Sequence, residues 1–157
     1  GISKVSAKNI IAVIGTDMSR FPTERHLSKW AGLCPGNNES AGKRRSGRTS
    51  KGNALLRTTL VQCAQSASRT KNTFFAAQYA RLVIRRGANR AKVAVAHSML
   101  IAIWHMLKNK MPFFDLGSEY YNQFNRDKKA NALMGKLINL GFDVEITDRN
   151  SPNVKEA

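Results

Sequence analysis

The spacing of apolar residues along the chain predicts a protein built mainly from helices. The first two predicted helices each place their apolar residues on one face. In the first, which ends before Gly15, these residues are Ala7, Ile10, Ile11 and Ile14. In the second, predicted from a capping Thr23 to about residue 31, they are Leu27, Trp30 and Ala31.

Three longer helices are predicted next. The third begins after Asn53, which can cap it, and runs to about residue 68 with the apolar positions Leu56, Leu60, Cys63, Ala64 and Ala67. The fourth, over roughly 73–86, is expected to be buried through Phe74, Phe75, Ala77, Tyr79, Leu82 and Val83. The fifth, over 89–110, is apolar nearly all round, so it should lie at the centre of the fold.

The C-terminal part is predicted to hold a short aromatic-rich helix over 118–125 and a last helix over 128–140, closed by Gly141. Residues 142–146 alternate like a strand, although no second strand is evident to pair with them. Residues beyond Asp148 are expected to be disordered. The predicted fold class is therefore all-α, mainly helical, with a possible short C-terminal strand.

The opening residues, Gly1-Ile2-Ser3 before a helix, are similar to the hairpin of a helix-hairpin-helix motif, in which backbone N–H groups contact DNA phosphates. The first helix of that motif is absent over 1–15, and Ser3 stands where a second glycine is usual. Any helix that starts after a glycine would look similar, so an ordinary helix start is the alternative.

A basic, glycine-rich stretch over 37–57 separates the second and third helices. It holds one acid, Glu39, and six cations: Lys43, Arg44, Arg45, Arg48, Lys51 and Arg57. Unpaired cations are too costly to bury, and a glycine-rich backbone is not expected to hold a regular helix or strand. Such a loop can instead lie along a polyanion, with N–H groups and cationic side chains turned toward phosphates. The alternative is a solvated basic loop.

Composition also indicates an anionic partner. The 157 residues are enough for one domain with a core, and they carry 26 Lys and Arg against 10 Asp and Glu, a net charge of +16. Nucleic acid is the first candidate partner and an anionic membrane surface the second. The longest apolar run, over 93–107, is shorter than the roughly 20 residues that a bilayer span needs. We therefore expect no membrane-spanning segment.

The cysteines and the central histidines suggest neither a disulfide framework nor a metal site. Cys34 and Cys63 lack the spacing of a metal-binding pair and are expected in buried apolar roles in a reducing cytoplasm. His97 and His105 lie about 12 Å apart along a helix. That distance is too long for a shared metal, so both are expected in the core.

Two further groups leave alternatives open. Tyr120 and Tyr121 either belong to the core or stack on nucleic-acid bases. A basic cluster around a helix junction either extends the basic surface or forms a solvated face; its members are Arg85, Arg86, Arg90 and Lys92.

The segment over 39–47, Glu-Ser-Ala-Gly-Lys-Arg-Arg-Ser-Gly, resembles the Tnp domain of the insertion-sequence transposases known as the IS one-ten class. The resemblance continues in the segments 15–22, 30–38, 66–71, 94–98 and 115–117. It covers residues 1–141 and leaves a tail over 142–157. The combined motifs are far more specific than any one of them alone.

The resemblance implies a DNA recombinase that inserts or excises a mobile element under the guidance of a structured RNA. In that family a RuvC-like domain supplies a DEDD set of metal-binding acids, expected to hold Mg²⁺, and the Tnp domain supplies a serine that becomes covalently joined to DNA. The matching residue is Ser40, with Ser46 and Ser50 as competitors in the same loop. Implied partners are DNA, guide RNA and further copies of the protein in a dimer or tetramer. The implied location is the bacterial cytoplasm, at the nucleoid.

The chain departs from the family because it lacks the DEDD acids; its ten acids are scattered. We therefore expect a fragment of a longer enzyme that binds nucleic acid but does not recombine it alone. Glu39, beside Ser40, should point to the opposite face if the segment is extended. One alternative is a non-catalytic helical module that binds nucleic acid, and another is a basic protein of a membrane surface or the ribosome.

Overall fold

The computed structural model describes residues 1–34, 38–40, 42–46 and 49–145 of the chain; within 38–40, 43–46, 122–125 and 127 the description covers the backbone. These residues belong to two compact units, Gly1–Glu119 and Tyr120–Ala157. The predicted division into a domain over 1–141 and a tail over 142–157 stays a prediction.

The described residues are mainly helical, which confirms the predicted fold class. The first unit contains the helices α1 Lys4–Ile14, α2 Glu24–Trp30, α3 Ala54–Ala67, α4 Phe74–Arg86 and α5 Ala88–Asn109. A 3₁₀ turn, Met18–Arg20, lies between α1 and α2, and two short strands, β1 Asn38–Ser40 and β2 Lys43–Ser46, lie between α2 and α3. The second unit contains α6, Tyr120–Asn139.

Local capping chemistry sets most of the helix ends. The Asn53 side chain accepts a hydrogen bond from the Leu56 backbone N–H at 2.9 Å, as predicted for the start of α3. Ser3 caps α1 in the same way, and Gly15, with a φ of 75°, ends it. Thr23 occupies the N-cap position of α2, but its hydroxyl lies 2.8 Å from His26 Nδ1 and does not cap the backbone.

Helix α5 is central to the first unit, as its all-round apolar pattern predicts. Helices α2, α3 and α4 pack on it, and α1 packs on α3. Trp104 is buried, and its indole N–H donates to the Phe21 carbonyl at 3.0 Å, which ties α5 to the turn before α2. The buried residues of α5 are Ala91, Val95, Ala96, Met99, Leu100 and Trp104.

The predictions of burial on α2 and α4 are wrong in part. Trp30 is 42% exposed; it is the last residue of α2, and its ring contacts Phe21, with ring centroids 5.5 Å apart. The α4 side chains predicted to be buried are only half-buried, and none is fully buried. Helix α4 packs mainly on α5, and Phe75 completes its cover by stacking on Phe113 at 5.6 Å.

The predicted pair of C-terminal helices is one continuous helix, α6. The two polar residues 126 and 127, which lie between the predicted helices, are neither Gly nor Pro, and nothing in their backbone chemistry ends a helix. Gly141, with a φ of 88°, lies just beyond its end as predicted. Residues 142–145 contain no strand. The remainder of that predicted strand and the predicted disorder lie outside the described residues.

Candidate nucleic-acid interface

The basic stretch folds in part as an antiparallel hairpin, so the expectation that it would hold no strand is wrong. Ser40 pairs with Lys43, Glu39 with Arg44, and Asn38 with Ser46, with a register shift between the last two pairs. Gly42, directly before the second strand, has a φ of 73°, a left-handed conformation that suits a tight connection between strands. The glycine is therefore what permits the strands instead of preventing them.

The hairpin root, defined as residues 31–34 and 50–53, is held by two glycines. A Cβ on Gly52 would lie 2.3 Å from the Gly32 nitrogen, and a Cβ on Gly32 would lie 2.8 Å from both the Gly52 nitrogen and the Ser50 oxygen. The two backbones therefore touch where the stretch leaves α2 and enters α3. The Asn53 N–H also donates to the Trp30 carbonyl at 3.3 Å. Sequence analysis missed this contact, although a glycine on each side of the basic stretch was visible.

The six candidate cations differ in burial and in the element that carries them. Arg57 is half-buried, and its Nη1 donates to the Gly32 carbonyl at 3.3 Å, so part of its bonding capacity serves the hairpin root. Lys51 is exposed and available to a ligand. Lys43, Arg44 and Arg45 lie on the second strand, next to the strand that ends in Ser40. Arg48 lies outside the described residues, as do the side chains of the strand residues.

A thiol and an imidazole meet at the hairpin root. Cys34 Sγ lies 3.8 Å from His97 Nε2 on α5. Burial lowers the pKa of His97 and raises the pKa of Cys34, against a smaller lowering effect of Lys29 on the thiol. Both groups are therefore neutral near pH 7. Leu33, fully buried beside them, donates its N–H to the Ser28 carbonyl at 3.0 Å.

The histidine and cysteine predictions are confirmed only in part. Cys63 is buried as expected, whereas Cys34 is half-buried. His97 is half-buried, but His105 is exposed and contacts the Trp104 ring edge-on at 4.9 Å. Tyr120 and Tyr121 are half-buried and contact each other edge-on at 5.4 Å, which leaves their alternatives open.

Charge is unevenly distributed around the site. No Asp or Glu occurs between Glu39 and Asp115, so α3, α4 and α5 carry cations without a single carboxylate. Among the residues that the structure describes, no three His, Cys, Asp or Glu side chains gather in a way that could hold a metal ion. None of the described helices is long and apolar enough to cross a membrane. The site is thus a polycationic surface that suits phosphate groups.

Comparison with known proteins places this surface in a family context. The family model described as "Transposase IS116/IS110/IS902 family" matches residues 1–80. The chain is also 33% identical over 111 residues to the transposase for insertion sequence element IS1111A of Coxiella burnetii (strain RSA 493 / Nine Mile phase I). That match covers 68% of this chain and 30% of the relative, so the chain spans less than a third of the relative's length. No solved structure matches the chain.

Proposed function

Because the chain belongs to the IS116/IS110/IS902 family of transposases, we propose that it is the DNA-binding, catalytic-serine part of a transposase. The hairpin that carries Ser40 and the cations beside it is the reactive surface. The observation that carries this proposal is the backbone pairing of Ser40 with Lys43 in an acid-poor hairpin.

The proposed reaction is a phosphoryl transfer from DNA to serine. The Ser40 Oγ attacks a backbone phosphorus, and an Oγ–P bond forms while the bond from that phosphorus to a deoxyribose oxygen breaks. The hydroxyl proton leaves the serine, and the departing oxygen gains a proton to become a free hydroxyl. A serine hydroxyl is a weak nucleophile, so a base must take its proton.

The hairpin supports this reaction through charge and spacing. Residues opposed in an antiparallel pair have Cα atoms roughly 4.5–5.5 Å apart, so Lys43 is held beside Ser40 by the backbone. Cations near a transferring phosphoryl group stabilise the negative charge on its equatorial oxygens. The backbone contact of Gly32 with Gly52 gives the hairpin a fixed base on the helices. Arg44, Arg45 and Arg48 extend the same basic stretch and would bind flanking phosphates.

The described residues do not fit a metal site, because no cluster of suitable side chains occurs among them. We therefore assign any Mg²⁺, together with the base for Ser40, to a RuvC-like domain outside this chain. DNA is the substrate in this proposal. A guide RNA and further copies of the protein would join the complete enzyme.

A covalent-trapping experiment tests the nucleophile. The chain would be joined to a RuvC-like domain of the same family and incubated with labelled DNA, guide RNA and magnesium, and adducts would be separated on denaturing gels. We expect a protein–DNA adduct in the wild type that is absent in Ser40→Ala. Ser46→Ala and Ser50→Ala are matched controls, since they remove hydroxyls from the same stretch.

Other outcomes favour the alternatives. An adduct that is lost in Ser46→Ala and kept in Ser40→Ala would identify Ser46 as the nucleophile instead of Ser40. DNA binding without any adduct in the wild type would leave a non-catalytic nucleic-acid-binding module. Binding of anionic vesicles in preference to DNA would indicate a membrane-surface protein.

A further inference from the structure

The turn between α4 and α5 carries a second group of exposed cations. Arg85 and Arg86 form the last turn of α4, and Arg90 lies in the first turn of α5. All three side chains are exposed. Gly87, with a φ of 76°, reverses the chain between the helices and brings these residues together. We call residues 84–90 the α4–α5 corner.

Helices α3, α4 and α5 contain no Asp or Glu, so none of these three helices supplies a carboxylate that could neutralise the corner. The acids nearest in sequence to α4 and α5 serve the opposite ends of those helices. Asp115 Oδ1 accepts from the Phe74 N–H at 2.9 Å, at the start of α4 and about 18 Å along its axis from Arg86. Asp17 lies near Lys108, toward the end of α5.

An apolar side chain projects from the same corner. Ile84 is 90% exposed, the highest value among the exposed large apolar side chains of the described residues. It lies on the outer face of α4, next to Arg85, with the small exposed residue Ala80 one turn before it. A small neighbour allows a close approach to this face. Cations around an apolar tip suit phosphates together with the sugars or base edges between them.

The hairpin root contacts α5 near the middle of that helix, about two helical turns from the corner. His97, which contacts Cys34 of the root, lies about 10 Å along the α5 axis from Arg90. Ala67, at the end of α3, lines a cavity together with Met106 and Leu107 near the end of α5, so it lies far from the corner along that helix. The start of α5 also carries the positive pole of its helix dipole, with no side-chain cap at Gly87.

We propose that the α4–α5 corner is a second nucleic-acid contact, which holds a duplex that also reaches the hairpin. Arg85, Arg86 and Arg90 bind its phosphates, and Ile84 contacts the sugars or base edges between them. This inference rests on the proposed function, because it assigns a further contact to the same nucleic-acid ligand. Duplex DNA and duplex RNA share this chemistry, so the experiment measures binding to both.

The test compares charge-matched variants of the full 157-residue chain. Arg85→Gln/Arg86→Gln/Arg90→Gln removes the corner cations. Lys8→Gln/Arg69→Gln/Lys71→Gln removes three exposed cations toward the other end of the unit. Affinity would be measured by fluorescence anisotropy with short labelled DNA and RNA duplexes of the same sequence across a salt series. Circular dichroism would confirm that both variants are folded.

We expect the corner variant to lose about tenfold or more in affinity for a duplex, and its salt slope to fall by about 2–3, because three phosphate contacts disappear. The control variant, which lacks the cations of Lys8, Arg69 and Lys71, should lose less than about threefold in affinity for the same duplex. Ile84→Ser should weaken binding and leave the salt slope unchanged, because it removes no charge. The duplex that shows the larger loss identifies the ligand as DNA or RNA.

Equal losses in the two charge-matched variants would overturn the proposal, because they would reflect net charge alone. The proposal would also be wrong if the corner variant lost affinity for anionic vesicles but kept its affinity for both duplexes. A hairpin variant, Lys43→Gln/Arg44→Gln/Arg45→Gln, separates the two proposals. If it loses duplex binding while the corner variant keeps it, the corner proposal fails and the proposed function stands. A wild type that binds neither duplex overturns both.

Discussion

Gly32 and Gly52 touch backbone to backbone at the hairpin root, and neither position has room for a side chain. A Cβ on Gly52 would lie 2.3 Å from the Gly32 nitrogen and 2.4 Å from the Ala31 carbonyl carbon. These neighbours are backbone atoms, which cannot move aside as the end of a side chain can. The geometry of the basic hairpin therefore depends on two residues that carry no chemistry of their own.

Gly52→Ala should destabilise the first unit by about 1–3 kcal/mol, because overpacking forces the two backbones apart. Thermal unfolding followed by circular dichroism would show this as a lower Tm. Gly135→Ala is the matched control: Gly135 is helical, without a positive φ, and a Cβ there meets no atom within 4 Å. That change should stabilise α6 by about 0.5–1 kcal/mol. A Gly52→Ala variant as stable as the wild type would contradict the contact.

Substitution of Arg57 and of Lys51 should distinguish a cation that stabilises the fold from a cation that binds the ligand. Arg57→Gln breaks the hydrogen bond to the Gly32 carbonyl and should lower stability by about 1 kcal/mol. Lys51→Gln removes an exposed charge and should leave Tm unchanged while it weakens DNA binding. Denaturation and anisotropy measurements on both variants provide the comparison. Equal stability of the two variants would place the Arg57 charge among the ligand contacts alone.

Stability should fall as the solution is acidified from pH 7 to below 6. Burial lowers the pKa of His97 in the folded protein below its usual 6.5, so the unfolded chain binds more protons in this range and acid favours unfolding. Asp17, whose pKa is lowered by hydrogen bonds from Ser19, contributes only near and below its usual 3.8. His97→Gln should flatten the dependence of Tm on pH between 7 and 5.5. Parallel curves for the variant and the wild type would exclude His97 as the cause.

The indole N–H group of Trp104 should contribute to the stability of the fold. Trp104→Phe keeps an aromatic ring in the core but leaves the Phe21 carbonyl without its donor, at a cost of about 1–3 kcal/mol. Trp30→Phe is the matched control, because Trp30 is 42% exposed and should lose less than about 1 kcal/mol. Urea denaturation with an unchanged m-value would measure both changes. A larger loss at Trp30 would contradict the assigned packing.

Local chemistry made much of the fold predictable. The cap at Asn53, the stop at Gly15 and the central α5 all follow from signals within a few residues of the element concerned. The hairpin was missed because a glycine-rich composition argues against regular structure, whereas α6 was predicted as helix but divided in two at residues 126 and 127. Gly42 shows why that inference failed, since one glycine with a positive φ makes a tight strand connection possible.

The candidate site was only partly predictable, because its supporting contacts join residues far apart in sequence. Arg57 and Gly32 are 25 residues apart, and Cys34 and His97 are 63 residues apart. Periodicity reports the face of a helix and not the element that covers it. Composition alone identifies the basic stretch. Its anchoring on α2, α3 and α5 depends on contacts that form only in the folded chain.

The two cysteines provide the protein with a pair of built-in chemical reporters. Cys34 is half-buried at the hairpin root, and Cys63 is buried in the core. A thiol reagent reaches each one only as fast as its surroundings open, so the labelling rate of Cys34 measures the release of the root, and that of Cys63 the unfolding of the core. The ratio of the two rates, followed as DNA is added, would show whether the ligand tightens the hairpin root alone or the whole helical unit.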